Sequence, residues 1–146
     1  MKQQVVQLLT RIGLLVVLAM VPAVASAQTL GRIKANIPFD FTVGDQKLPA
    51  GEYSIGRAQP SSGDLVLMIS SADGHARAMR ITNPVITLDP KSKETLVFHR
   101  YGDEYFLSQV WTAGATTGRV FRESRDEREL RAHAKASKVV MKAGSE

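Results

Sequence analysis

The side chains best suited to chemistry are three histidines, two pairs of neighbouring polar groups and one run of aromatics. His75, His99 and His133 are far apart in sequence, with none at metal-ligand spacing from another and no H-E-x-x-H. Asp73 and His75 share a turn, where Asp-backbone hydrogen bonding accounts for both residues without a cation. Asp103 and Glu104 are adjacent acids at a turn. Glycosidase carboxylates face each other across a cleft, about 5 to 10 Å apart, and neighbours on one tip cannot do so. No G-x-S-x-G or phosphate loop occurs. There is no cysteine, so thiol catalysis, disulfide exchange and cysteine-held metals are excluded. The sequence thus predicts a non-enzymatic protein with no catalytic residue, metal site or cofactor.

Two features point to binding. Phe98, Tyr101, Tyr105, Phe106 and Trp111 are five of the nine aromatics and fall within fourteen residues, with His99 and Arg100 among them. Rings in such a cluster can stack on a sugar or another ring ligand while polar neighbours fix its orientation. They can equally pack across strands in a core. A mixed arrangement would leave His99, Tyr101 and Phe106 lining a shallow pocket. The second feature is the C-terminal segment. On an ideal helix, Arg128, Arg131, Lys135, Lys138 and Lys142 fall on one side, a stripe that suits anionic lipid, an envelope glycan or wall polymer, or an acidic protein. A solvated helix face would show the same stripe.

These residues need elements to position them. "IPFDFTV" at 37–43 puts Ile37, Phe39, Phe41 and Val43 on one face and Pro38, Asp40 and Thr42 on the other. That is the period of a half-buried strand, and Pro38 places it at an edge. Gly44-Asp45 turns the chain, "LPAGEY" turns it again, and Tyr53 and Ile55 resume the alternation. Leu65 to Ile69 is continuously apolar and predicts a central strand buried on both faces. Asp73-Gly74 predicts a hairpin turn and Asn83-Pro84 a break. "ETLVFHRYGDEYFLSQVWT" predicts a hairpin about Gly102-Asp103, pairing Arg100 with Tyr105, His99 with Phe106 and Phe98 with Leu107. "AGATTG" at 113–118 ends the strand region. Ser124 with Glu127 makes a capping box, and Glu127 to Arg131 an i,i+4 pair, opening a helix over about 125 to 142. The sum is an all-β fold: a six- or seven-stranded antiparallel β-sandwich or small barrel over 28–118, then a basic helical tail over 119–146.

Residues 1–27 read as a signal peptide. Lys2 and Arg11 precede the apolar run "IGLLVVLAMV", and Ala25-Ser26-Ala27 is a small-x-small cleavage site, so the cut is expected after Ala27. The run is shorter than the ~20 apolar residues that span a bilayer. The expected location is periplasmic or extracellular, away from nucleic acid. The formal charge of +5 is unevenly placed: residues 28–118 carry nine basic and nine acidic side chains, and residues 119–146 carry eight and five. The basic character belongs to the tail.

"IPFDFTVGDQKLPAGEYSI" and "LVFHRYGDEYFLSQVW" resemble a group of short, exported, uncharacterised bacterial proteins that share "FTVG…LPAGEY" and "FHRYG…YFLSQVW". "LPAGEY" is also similar to the "LPxGxY" strand start of prealbumin-like and collagen-adhesin B-type sandwich domains. The resemblance implies bacterial export and a β-rich domain, and carries over no site residue. The expected role is binding or structural, in the cell envelope. Its alternatives are a carbohydrate or small-ligand binder using the hairpin 98–111, and an envelope tether acting through the tail.

Overall fold

Period-two alternation at the start of the chain becomes two strands rather than one. In the computed structural model, which describes residues 31–63 and 65–144, β1 (Ile33–Ile37) stops before Pro38 and β2 (Phe41–Val43) begins after Asp40. The leader, and with it the expected cut after Ala27, lies outside the described residues. Proline has no N–H for a ladder, so the break falls at Pro38. The chain then turns at Gly44-Asp45 into β3 (Gln46–Leu48) and at Pro49-Ala50 into β4 (Gly51–Arg57). Two bonds lock the second turn: the Tyr53 hydroxyl donates to the Pro49 carbonyl at 2.7 Å, and the Ala50 N–H donates to Asp40 Oδ1 at 2.9 Å. The "LPAGEY" spacing is what lets the tyrosine reach back over its own turn.

The remaining elements are β5 (Val66–Ser71), β6 (Arg77–Ile86), β7 (Thr95–Tyr101), β8 (Glu104–Trp111), β9 (Thr117–Phe121), the helix α1 (Arg125–His133) and β10 (Ser137–Lys142). Among the described residues there are ten strands, more than the six or seven expected. Hydrogen bonding runs in the order β1-β4-β5-β6-β9-β8-β2-β3, with β7 also on β8 and β10 on β7. The path is not closed into a barrel. All pairs are antiparallel except β2 with β8, which meet in parallel at Thr42 and Phe106. The described residues form an all-β sandwich with one α-helix, near the C-terminus.

β6 joins the two layers. Its first half pairs with β5, ending at Ile81 opposite Val66, and its second half pairs with β9 from Thr82 opposite Phe121. Asn83-Pro84 therefore does not end the strand, as its composition predicts. It falls just after the strand leaves β5, where one side is an open edge that tolerates the N–H Pro84 lacks. The core lies between the layers and includes Ile33, Ile37, Phe41, Tyr53, Ile55 and Leu67, packed against Phe98 and Leu107. Phe41 meets Tyr53 and Phe98 edge-on with centroids 5.1 and 5.7 Å apart, and Phe39 stacks on Tyr105 at 3.9 Å. β5 is central, but only Leu67 and Ile69 are buried in it. Val66 and Met68 are half-covered on its outer side and Leu65 is exposed, so the apolar run is not buried on both faces.

The tail departs most from expectation. α1 ends at His133, and residues 137–142 form a strand on β7. The boundary expected at 118 and 119 cuts through β9. Gly118, in that strand, sits where the Trp111 ring crosses: a Cβ there would lie 2.5 Å from Trp111 Cδ2. Replacing Gly118 by alanine should cost about 1 to 3 kcal/mol, as overpacking does, read as a lower thermal midpoint. Deleting residues 135–146 should bare the apolar edge of β7, and size-exclusion chromatography should then show association of chains.

Candidate functional site

The hairpin β7–β8 forms in the predicted register: Arg100 opposes Tyr105, His99 opposes Phe106, and Phe98 opposes Leu107. Beyond that point the register shifts, because Val97 pairs with Gln109 and leaves Ser108 as an extra residue on β8. One extra residue reverses the parity of the strand beyond it. Phe106 and Trp111, on opposite faces of a regular strand, thereby share one. That face also holds Tyr101, His99, Val97 and Thr95 of β7. β10 continues it, since Lys138, Val140 and Lys142 lie opposite His99, Val97 and Thr95.

One half of this face is covered by α1. Ser124 caps the helix, its Oγ accepting the Glu127 N–H at 3.0 Å. The Glu127 carboxylate turns to the sheet, with Oε1 2.8 Å from His99 Nδ1. A carboxylate only accepts, so Nδ1 carries the hydrogen. The expected Glu127–Arg131 pair is replaced: Arg131 Nη1 donates to Glu123 Oε1 at 2.9 Å. Tyr101 lies beneath this network, its ring edge-on to Phe106 with centroids 5.9 Å apart. Burial, and after it the Glu127 and Glu123 carboxylates, pushes the Tyr101 phenol above its ordinary range, while Arg131 pulls the other way.

His99, Glu123 and Glu127 are the described residues best placed to hold a metal, with one ligand atom from each lying within 4.8 Å of the others. The sequence hides this group, since residues 99, 123 and 127 show no ligand spacing, and no metal site is expected from it. Imidazole and carboxylates suit a divalent transition ion. Here each is otherwise engaged, His99 with Glu127 and Glu123 with Arg131, whose guanidinium already supplies positive charge. As arranged, the network is a polar clamp: the His99–Glu127 hydrogen bond ties the helix to the sheet, and Arg131 ties the helix to Glu123 in the segment before it.

The other half of the face is open. A groove of about 380 Å³ lies over Thr95, Val97, Gln109 and Trp111. Lys138 and Lys142 line it from β10, and Lys91 and Lys93 from the loop before β7. Among the described residues, no carboxylate lines it. Among the described residues, none of the four lysines makes an ion pair. Ile86 and Val140, both largely exposed, form its apolar rim.

The residues expected to act together are thus redistributed. His99, half-buried, and Tyr101 line one cavity under the helix, and Phe106 is buried beside Tyr101. Tyr101, Phe106 and Trp111 are each 4 % exposed, which leaves little ring face for a sugar. The five-residue basic stripe does not exist as one helix face. Arg128 and Arg131 are on α1, Lys135 is in the turn after it, and Lys138 and Lys142 are on β10. Arg128 Nε donates to the Ser124 carbonyl at 3.3 Å. Sequence patterning does not single out Lys91 and Lys93; the one sign of them is "DPKSK" between two strands.

No family model, curated protein or solved structure matches the chain.

The Tyr101 phenol gives a reading of the clamp. Its pKa is raised on folding, so this group stabilises the fold fully below the ordinary tyrosine range and loses that contribution as pH rises towards the folded value. Glu127→Gln should move the Tyr101 titration down, monitored by ultraviolet absorbance. It should also lower stability by about 1 to 3 kcal/mol, because His99 loses a charged partner.

Proposed function

We propose that the protein is an exported, non-enzymatic module of the cell envelope that acts by holding an anionic envelope component in a lysine-lined groove, which its C-terminal strand and the loop before β7 form together. The observation that carries this reading is the groove with Lys91, Lys93, Lys138 and Lys142 at its margins and, among the described residues, no carboxylate in its lining. Four ammonium groups with no ion-pair partner among the described residues repel one another, and an anion relieves that repulsion. The leader sequence and the absence of cysteine fit a chain that leaves the cytoplasm and relies on packing rather than crosslinks. The titratable groups that do converge, His99, Glu123, Glu127 and Arg131, are paired in docking α1, which favours a structural task for them. Carbohydrate binding on the hairpin has less support, because its rings are consumed by packing.

Two measurements test the reading. Cell fractionation should find a processed chain beginning at Gln28 outside the cytoplasm. The processed chain should bind isolated envelope, and binding should weaken with salt as the screening length falls below about 10 Å. Deleting the tail would remove β10 from the sheet, so point changes are the proper control. Replacing Lys91, Lys93, Lys138 and Lys142 together by glutamine should weaken binding at least about tenfold with an unchanged thermal melt. Undiminished binding by that variant rejects the groove as the binding surface.

A further inference from the structure

We infer that the lysine groove docks onto an anionic lipid bilayer, with Ile86, Leu88 and Val140 entering the lipid interface. This rests on the reading of the groove as an anion-holding surface, and names the surface it meets.

The argument comes from the apolar side chains around the charge. Ile86 is 76 % exposed, Leu88 is 100 % exposed and Val140 is 55 % exposed. Ile86 and Val140 line the same groove as the four lysines, and Leu88 lies two residues beyond Ile86 on the strand's exit. A dissolved anionic polymer would satisfy the lysines and leave these side chains in water. A lipid interface satisfies both, with ammonium groups at the headgroups and apolar tips below them. On β10 the alternation is built in: Lys138, Val140 and Lys142 project from one side, while Val139 and Met141 pack against the core. Lys138, Val140 and Lys142 are carried on a paired strand, so their spacing is fixed before contact.

Sign selects this face over the other exposed apolar patch. Met79 and Ile81 project from β6 into a second groove, and Leu65, just before β5, is exposed as well. That groove mixes Arg122, Arg125 and Arg128 with Asp45 and Glu123, and Arg125 is already paired with Glu129. Of the two, the lysine groove combines one sign of charge, lysines without an ion-pair partner among the described residues, and protruding apolar groups.

The test uses the processed chain with vesicles of phosphatidylglycerol and phosphatidylcholine, vesicles of phosphatidylcholine alone, and isolated wall polymer. Sedimentation should show binding to the anionic vesicles at least about tenfold tighter than to the neutral ones. Replacing Ile86 and Leu88 by serine keeps every charge and should weaken vesicle binding at least about tenfold. An environment-sensitive fluorophore attached through Leu88→Cys should shift to the blue when anionic vesicles are added. A melt identical to that of the unaltered chain excludes misfolding of the variants. Vesicle binding that ignores the serine changes, or a fluorophore that stays in water, overturns the inference. Binding to wall polymer but not to vesicles also overturns it, and leaves the groove as an anion-holding surface. Failure to bind either removes both.

Discussion

The edge of β7 is the constraint on which the C-terminal third of the molecule depends. This strand reads Thr-Leu-Val-Phe-His-Arg-Tyr, with its first four residues buried. β8 satisfies one side of its backbone. The other side would be a long, apolar, unpaired edge, the kind that recruits further chains. Without cysteine no crosslink can hold a distant segment over it, so pairing has to come from the chain itself. β10 provides that pairing along Thr95 to Arg100. The helix before β10 is then part of the connection that returns the chain to this edge.

Helix propensity loses to this edge after residue 133. "AKASKVVMK" has no glycine or proline, and its alanines and lysines favour helix. It also has two adjacent β-branched residues and a two-residue alternation that places Val139 and Met141 inward. A strand offers that pattern a ladder of hydrogen bonds and a core to pack against; a helix would leave it a thin apolar stripe. The helix that does form is almost wholly polar, with Leu130 only half-buried. What ties it to the sheet is the hydrogen bond between Glu127 and His99. One glutamate thus lies in the first turn, where a negative charge suits the helix dipole, and also reaches across to the hairpin.

The parts of the fold that local chemistry determines are legible in the sequence. Gly102-Asp103 sets its hairpin register, Gly44-Asp45 its turn, and Ser124 its helix start. The parts that depend on distant partners are not. β9 carries a glycine and few apolar residues, and it exists because β6 and β8 both offer it an edge. The bulge at Ser108 puts large side chains on a face that strict alternation would not give them. The candidate site shows the same division. Lys138 and Lys142 stand out through their charge, but helical spacing groups them with Arg128 and Arg131 instead of with Lys91 and Lys93. Their actual neighbours come from a strand pairing that spans the loop, the hairpin and the helix.

β10 is the last element of the described chain, and its partner β7 precedes it by the whole of β8, β9 and α1. A chain made from its N-terminus completes both layers of the sandwich before that final strand arrives. Until then the β7 edge is bare, and Lys138 and Lys142 are not yet beside Lys91 and Lys93. The groove therefore exists only once β10 has docked: without that strand Lys91 and Lys93 stand alone, half of this charge constellation.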